Sequence, residues 1–181
     1  GAAEIGAAET AWANVAGAKV EMLGFLGYCF FTGYSAVDGF LPVGSLTGTT
    51  FSTSTNVSGM PQAKFILKYR SRIYLLNVKY GGTHYPYRAI ASGVPSAGSI
   101  TWSTAGAPDS STGGFFDIDY EYEITGGAVN WDKMVVFTDE NAYMYDQSSL
   151  KEVWAEGCSS HRTIKKKGVY LIWANGDGVW V

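Results

Sequence analysis

Short apolar stretches recur along this chain, each closed by Gly, Asn or Asp and followed by a second stretch rich in Tyr and Trp. Three such pairs are plain: residues 64–76, with a tight turn near Arg70 and Ser71, then 133–145 and 168–180. A fainter one runs from Gly27 to Tyr34. Runs of this length, rich in aromatic and β-branched residues and bounded by turn formers, predict antiparallel hairpins. Their irregular spacing of roughly 35 to 60 residues is that of stacked sheets whose units bury their faces on neighbours. The expected class is all-β, a β-propeller-like array of hairpin blades.

Residues 1–18 are small and weakly patterned and are expected to form an arm or an incomplete element. Residues 19–181 then form one propeller-like domain of about three to four blades. From Lys19 to Val43 the pattern is strand-like, with a turn at Val37-Asp38-Gly39-Phe40. Residues 44–59 are almost entirely Gly, Ser and Thr around Phe51, which predicts a surface loop or a loosely paired edge. Tyr80 to Arg88 reads as an aromatic loop. Residues 93–114 read as a second small-residue linker, carrying Trp102 on a short strand. Residues 116–124 alternate most strictly: Ile118, Tyr120, Tyr122 and Ile124 on one face, Asp117, Asp119, Glu121 and Glu123 on the other. That predicts a half-exposed, metal-free strand. Val181 stops partway through an apolar strand, an edge expected to be paired by further chain or by another subunit.

Composition narrows the functions. Of 181 residues, 46% are hydrophobic and only 16% charged, which excludes disorder. A net charge of -3 gives no basic footprint for nucleic acid. The one basic run, Lys165-Lys166-Lys167, reads as a solvated entrance to the strand that follows. Cys29 and Cys158 share no metal-type spacing with His and read as buried free thiols, with a disulfide as the alternative. No apolar run approaches the roughly 20 residues of a bilayer span, so a soluble protein is expected. The first ten residues lack a starting Met and the regions of a signal peptide, as a processed or trimmed start would.

Chemistry is sparse. The four carboxylates of residues 117–123 could in principle hold Ca²⁺ or supply a glycosidase pair, yet no calcium-loop spacing is present and nothing marks one as a raised-pKa acid. His84 and His161 are expected to be hydrogen-bonded structural residues, because no Gly-x-Ser-x-Gly elbow or other nucleophile arrangement accompanies them. Asn175-Gly-Asp-Gly178 lacks the flanking residues of a sialidase turn and reads as a hairpin turn whose Asn-Gly and Asp-Gly supply the geometry. Arg70, Arg72, Arg88 and Arg162 are too few and scattered for a three-arginine clamp. Tyr80, Tyr85 and Tyr87, beside His84, could pack in an interface or stack on a sugar ring. Phe51 and Trp102 are expected to be anchors that become buried only in an assembly.

Residues 157–181, with a small-residue connector, an Arg, a Gly-Val-Tyr strand and an Asp-Gly-Val-aromatic hairpin, resemble the propeller-like repeats of bacteriophage tail and head-to-tail connector proteins. Residues 133–145, and Arg72 to Leu76 with Tyr87 to Ile90, look like the preceding blades of such proteins, so the resemblance covers roughly residues 60–181. It implies a non-enzymatic virion part such as a tail tube, nozzle or hub, assembled in the host cytoplasm without catalytic, cofactor or metal site. Its partners would be other virion proteins and copies of itself in a ring. The alternatives are a carbohydrate-binding propeller that recognises a host-surface glycan and, more remotely, a sialidase-like hydrolase.

Overall fold

The computed structural model of the chain describes residues 17–48, 50–52 and 56–181, the Phe51 side chain excepted. The expected N-terminal arm therefore lies almost wholly outside the described residues. The fold is all-β, with four small antiparallel sheets arranged as a four-bladed propeller. The first blade contains β1 (Lys19–Phe25), β2 (Tyr28–Ser35), β3 (Gly39–Phe40), β4 (Gly44–Thr47) and β5 (Thr50–Ser52), in the order β1-β2-β4-β5 with β3 on β2. The second runs β6 (Gln62–Tyr69), β7 (Arg72–Tyr80), β8 (Thr83–Ser92), β9 (Gly113–Asp117). The third runs β10 (Ile124–Asn130), β11 (Lys133–Thr138), β12 (Ala142–Tyr145), β13 (Leu150–Trp154). The fourth runs β14 (Lys165–Lys167), β15 (Tyr170–Ala174), β16 (Val179–Trp180). A 3-10 turn, His161–Thr163, interrupts the connector between the last two blades. Among the described residues no helix is long and apolar enough to cross a membrane.

One local device recurs in every blade. The first two strands are joined by a two-residue turn, flanked by the pairs Phe25↔Tyr28, Tyr69↔Arg72, Asn130↔Lys133 and Lys167↔Tyr170. In each, the first turn residue is left-handed: Leu26 at φ 54°, Arg70 at 51°, Trp131 at 53° and Gly168 at 61°. Turns of this hand match the right-handed twist of the strands they join. All four therefore lie on one end of the propeller, which we call the tip face. The register they set aligns each blade's inward apolar set, since a one-residue slip would move every side chain to the other face of its sheet.

The core is divided by junction. Phe25 and Phe30 of the first blade pack with Ala63, Ile66, Ile73, Leu75 and Ile90 of the second. Tyr69, Tyr74 and Leu76 of the second pack with Ile124, Met134, Val136 and Tyr145 of the third. Val135 and Phe137 of the third pack with Cys158, Ile164, Leu171 and Trp173 on the fourth side. The three hairpins at 64–76, 133–145 and 168–180 are where the apolar pattern placed them. The Gly/Ser/Thr stretch at 44–59 takes the second of its two expected forms, with β4 and β5 as the outer, paired edge of the first blade.

Two details differ from expectation. Lys165–Lys167 is itself an exposed strand, because pairing with Tyr170, Leu171 and Ile172 holds it in the fourth sheet. The turn after Asn175 is closed by a side chain: Asn175 Oδ1 accepts from the backbone N–H of Asp177 (3.0 Å) and Gly178 (3.1 Å) and from the Trp180 indole (3.0 Å), and neither glycine adopts positive φ. Asx capping makes the left-handed glycine unnecessary there.

Candidate functional site

The first strands of the first three blades begin at the end opposite the tip face. There, with the connector at residues 159–162, they enclose a cleft of about 190 Å³. That is room for roughly six water molecules at about 30 Å³ each, or one small ring-sized solute. Its polar groups come from different blades: Lys19 and Glu21 from β1, Lys64 from β6, Glu123 just before β10, His161 and Arg162 from the connector.

Two linked networks order it. Lys64 Nζ donates to Glu123 Oε1 and lies 4.4 Å above the Tyr34 ring. Asn77 Nδ2 also donates to Glu123 Oε1 (2.8 Å) and to the Ile124 carbonyl (3.0 Å), which leaves Asn77 Oδ1 to accept from His84 Nε2 at 2.6 Å. Asn77 reaches this position because it is a bulge residue: φ is 56° and the β7–β8 register shifts between Leu76 and Val78. A bulge re-aims a side chain that regular alternation would point elsewhere. On the other wall His161 Nδ1 accepts from the Gly127 N–H (3.3 Å), so its proton sits on Nε2, 3.7 Å from Glu21. The ring also packs on Phe65 at 5.0 Å.

These surroundings displace the titrations. Burial pushes Glu21 above its ordinary range, against the opposing pull of Arg162. His161 is held below 6.5 by burial and then by Lys165, and His84 by burial and then by Lys64. For Glu123, burial acts upward, but hydrogen bonds from Lys64 and Asn77 outweigh it and leave its pKa lowered. The histidines bind protons less readily folded than unfolded, so their stabilising contribution is complete above about 6.5 and is lost as pH falls from there toward their folded values. Glu21 acts with the opposite sign, its contribution fading as pH rises above 4.5. Denaturant midpoints measured between pH 7 and pH 5.5 are expected to fall. His161→Gln and His84→Gln should each flatten that slope; an unchanged slope in both variants would refute the assignment.

The aromatic residues singled out from sequence lie elsewhere. Tyr80, Tyr85 and Tyr87 are on strands, β7 and β8, because Gly81 and Gly82 close a tight turn between them. Tyr80 and Tyr85 stack at 4.6 Å, and Tyr87 lies 4.6 Å from Tyr120. Arg88 ties them together: it forks onto Asp117 at 2.6 and 2.7 Å, donates to the Tyr80 hydroxyl at 2.6 Å, and lies over the Phe115 and Tyr85 rings at 3.7 and 4.5 Å. Trp102 is half-buried against the first core cluster, and its indole donates to the Asn56 carbonyl at 3.0 Å. The Phe51 side chain lies outside the described residues.

The acidic ladder is not one strand. β9 ends at Asp117 and β10 starts at Ile124, so 118–123 is the connector between two blades. Asp117 is held by Arg88, Asp119 accepts from the Tyr143 hydroxyl at 3.0 Å and caps the Glu121 N–H at 2.9 Å, and Glu123 serves the cleft. The solvent-facing row expected there holds for Glu121 and Glu123, which are exposed, but not for Asp119, which is half-buried, or for Asp117, whose side chain is 9% exposed. Alternation arose here because Asp117, Asp119 and Glu123 each have their own partner, a cause periodicity cannot separate from a pleat. Among the described residues no group of three or more His, Cys, Asp or Glu is placed to hold a metal ion. The four arginines occupy separate surroundings: Arg70 on Asp132, Arg72 buried, Arg88 on Asp117, Arg162 at the cleft. Both cysteines are free thiols.

The sequence reading assigned no role to Asn77, Glu21 or Lys64. A signal existed for Asn77, an amide inside the apolar run from Ile73 to Val78. Compared with known proteins, the chain matches no family model and no curated relative.

Proposed function

We propose that this chain is a structural component of a bacteriophage particle, of the tail or head-to-tail connector kind, which works by docking on other virion proteins and catalyses no reaction. The observation that carries this reading is the tip face. Leu26, Arg70 and Trp131 hold a left-handed backbone that glycine adopts without cost and that costs other L-residues about 1–2 kcal/mol. Trp131 is nevertheless 72% exposed, and Leu26, at the matching turn of the first blade, is exposed as well. Strain kept in order to present a large apolar side chain to solvent points to a surface that is covered in use. The engaged state of the reactive groups agrees with this: both histidines and Glu123 are bound into the fold's own hydrogen bonds.

Native mass spectrometry and electron microscopy of the material as produced in infected cells should find the chain in a particle of defined symmetry. Trp131→Gly should keep its folding stability within about 1 kcal/mol, since the relief of strain offsets the freer unfolded chain. Its incorporation should fall at least about tenfold, as for a central aromatic contact. Wild-type incorporation of that variant, or a free monomer that hydrolyses a glycoside, would overturn the reading.

A second reading, a glycan-binding module, rests on the cleft, whose volume and polar walls suit one sugar ring. Saturation-transfer NMR with neutral and acidic monosaccharides tests it, and transfer that Lys64→Ala abolishes would favour it.

A further inference from the structure

The groups that line the cleft fall into two sets. Lys64, Glu123 and His161 are engaged by the fold: the first two hold each other, and His161 Nδ1 accepts from the Gly127 N–H, which keeps the ring neutral. Lys19, Arg162 and Glu21 are unengaged. Among the described residues no hydrogen bond reaches these three side chains, and the 3.7 Å from Glu21 to His161 is too long to be one. The Ser159 and Ser160 hydroxyls have no partner there either, Ser160 preceding the 3-10 turn without capping it. Glu21 shows the consequence: its side chain is only 23% exposed, and burial raises its affinity for protons in spite of Arg162, as for a carboxylate short of donors.

The lining is also unbalanced in charge. Lys19, Lys64 and Arg162 are set against only Glu21 and Glu123, which leaves one positive charge, and Lys165 adds to that field from just outside. We propose that the cleft binds a sugar ring carrying one carboxylate, of the uronic acid kind. Its carboxylate accepts from Lys19 and Arg162, its hydroxyls donate to Glu21 and pair with Ser159 and Ser160, and its C–H face lies on Phe65. Neither half of that chemistry suffices alone: a neutral sugar leaves both cations unpaired, and a bare anion leaves Glu21 without donors. A phosphate dianion would overshoot the single surplus charge and be repelled by Glu21.

Such a ligand narrows the glycan-binding reading above, on which it rests, to acidic sugars, and it leaves the tip face untouched. In amide-shift NMR titrations of the full chain, D-glucuronate should bind with a Kd of about 1 mM and displace the signals of Glu21, Ser160 and Arg162. D-glucose should bind at least about tenfold more weakly, and D-glucose 6-phosphate no more tightly than glucuronate. Lys19→Gln and Arg162→Gln should each weaken glucuronate at least about fivefold and leave the weak glucose binding unchanged; both residues are exposed, so the fold is retained. Glucose as tight as glucuronate would overturn the proposal and leave the broader reading standing, whereas no binding of either at about 50 mM would overturn both. Tighter binding of the phosphate, or variants that hold glucuronate like wild type, would also overturn it.

Discussion

Arg88→Ala is expected to destabilise the fold by about 3–5 kcal/mol, because it leaves Asp117 buried without its counter-ion. The two side chains are only 12% and 9% exposed, and the guanidinium also holds the Tyr80 hydroxyl and covers the Phe115 ring. In a chain of this size the loss corresponds to roughly 6–20 °C in melting temperature. Arg88→Lys should recover little, since a lysine cannot fork onto the carboxylate or lie flat on the rings. Arg88→Met with Asp117→Leu should recover most of it, because removing both charges of a buried pair is close to neutral. Urea unfolding with an unchanged slope is the measurement; a single variant within about 1 kcal/mol of wild type would show that the pair is well solvated.

Asn77→Ala is the second large loss, about 2–4 kcal/mol. It removes one of the two donors to Glu123 and the donor to the Ile124 carbonyl, takes away the acceptor of His84, and keeps a left-handed backbone that alanine disfavours. Asn77→Gly separates the causes: it relaxes the backbone and should regain only about 1 kcal/mol of the deficit. Full recovery in the glycine variant would mean that the amide contributes nothing to the cleft.

Arg88 and Asn77 also mark what could be seen from sequence. The hairpins were legible because Arg72 to Leu76 and Lys133 to Thr138 are apolar runs ended by turn formers, and pleat and burial act on the same residues there. Residues 117–123 misled because their alternation reflects partners in two blades. The tyrosines of β7 and β8 were recognised as a group, but their organiser, Arg88, was visible only as a scattered arginine. Asp117, which fixes it, is 29 residues away. The cleft was hidden for the same reason: Glu21, Lys64, Glu123 and His161 are brought together by rotation about the propeller axis, which leaves no spacing in the chain to read.

The contrast between the two kinds of connection in this fold decides where the chain can lengthen. An extra residue at Leu26, Arg70 or Trp131 would shift a strand register and turn a whole apolar row outward. The excursion between β8 and β9 is different. Its base is pinned by the Gly93 to Thr101, Val94 to Ser110 and Phe115 to Gly106 backbone bonds, while residues 96–99 are exposed beyond them. Doubling such a loop costs only about 0.6 kcal/mol of closure entropy. New length, and with it new recognition, can accumulate on that flank of the second blade while the four tips keep the geometry of the ring.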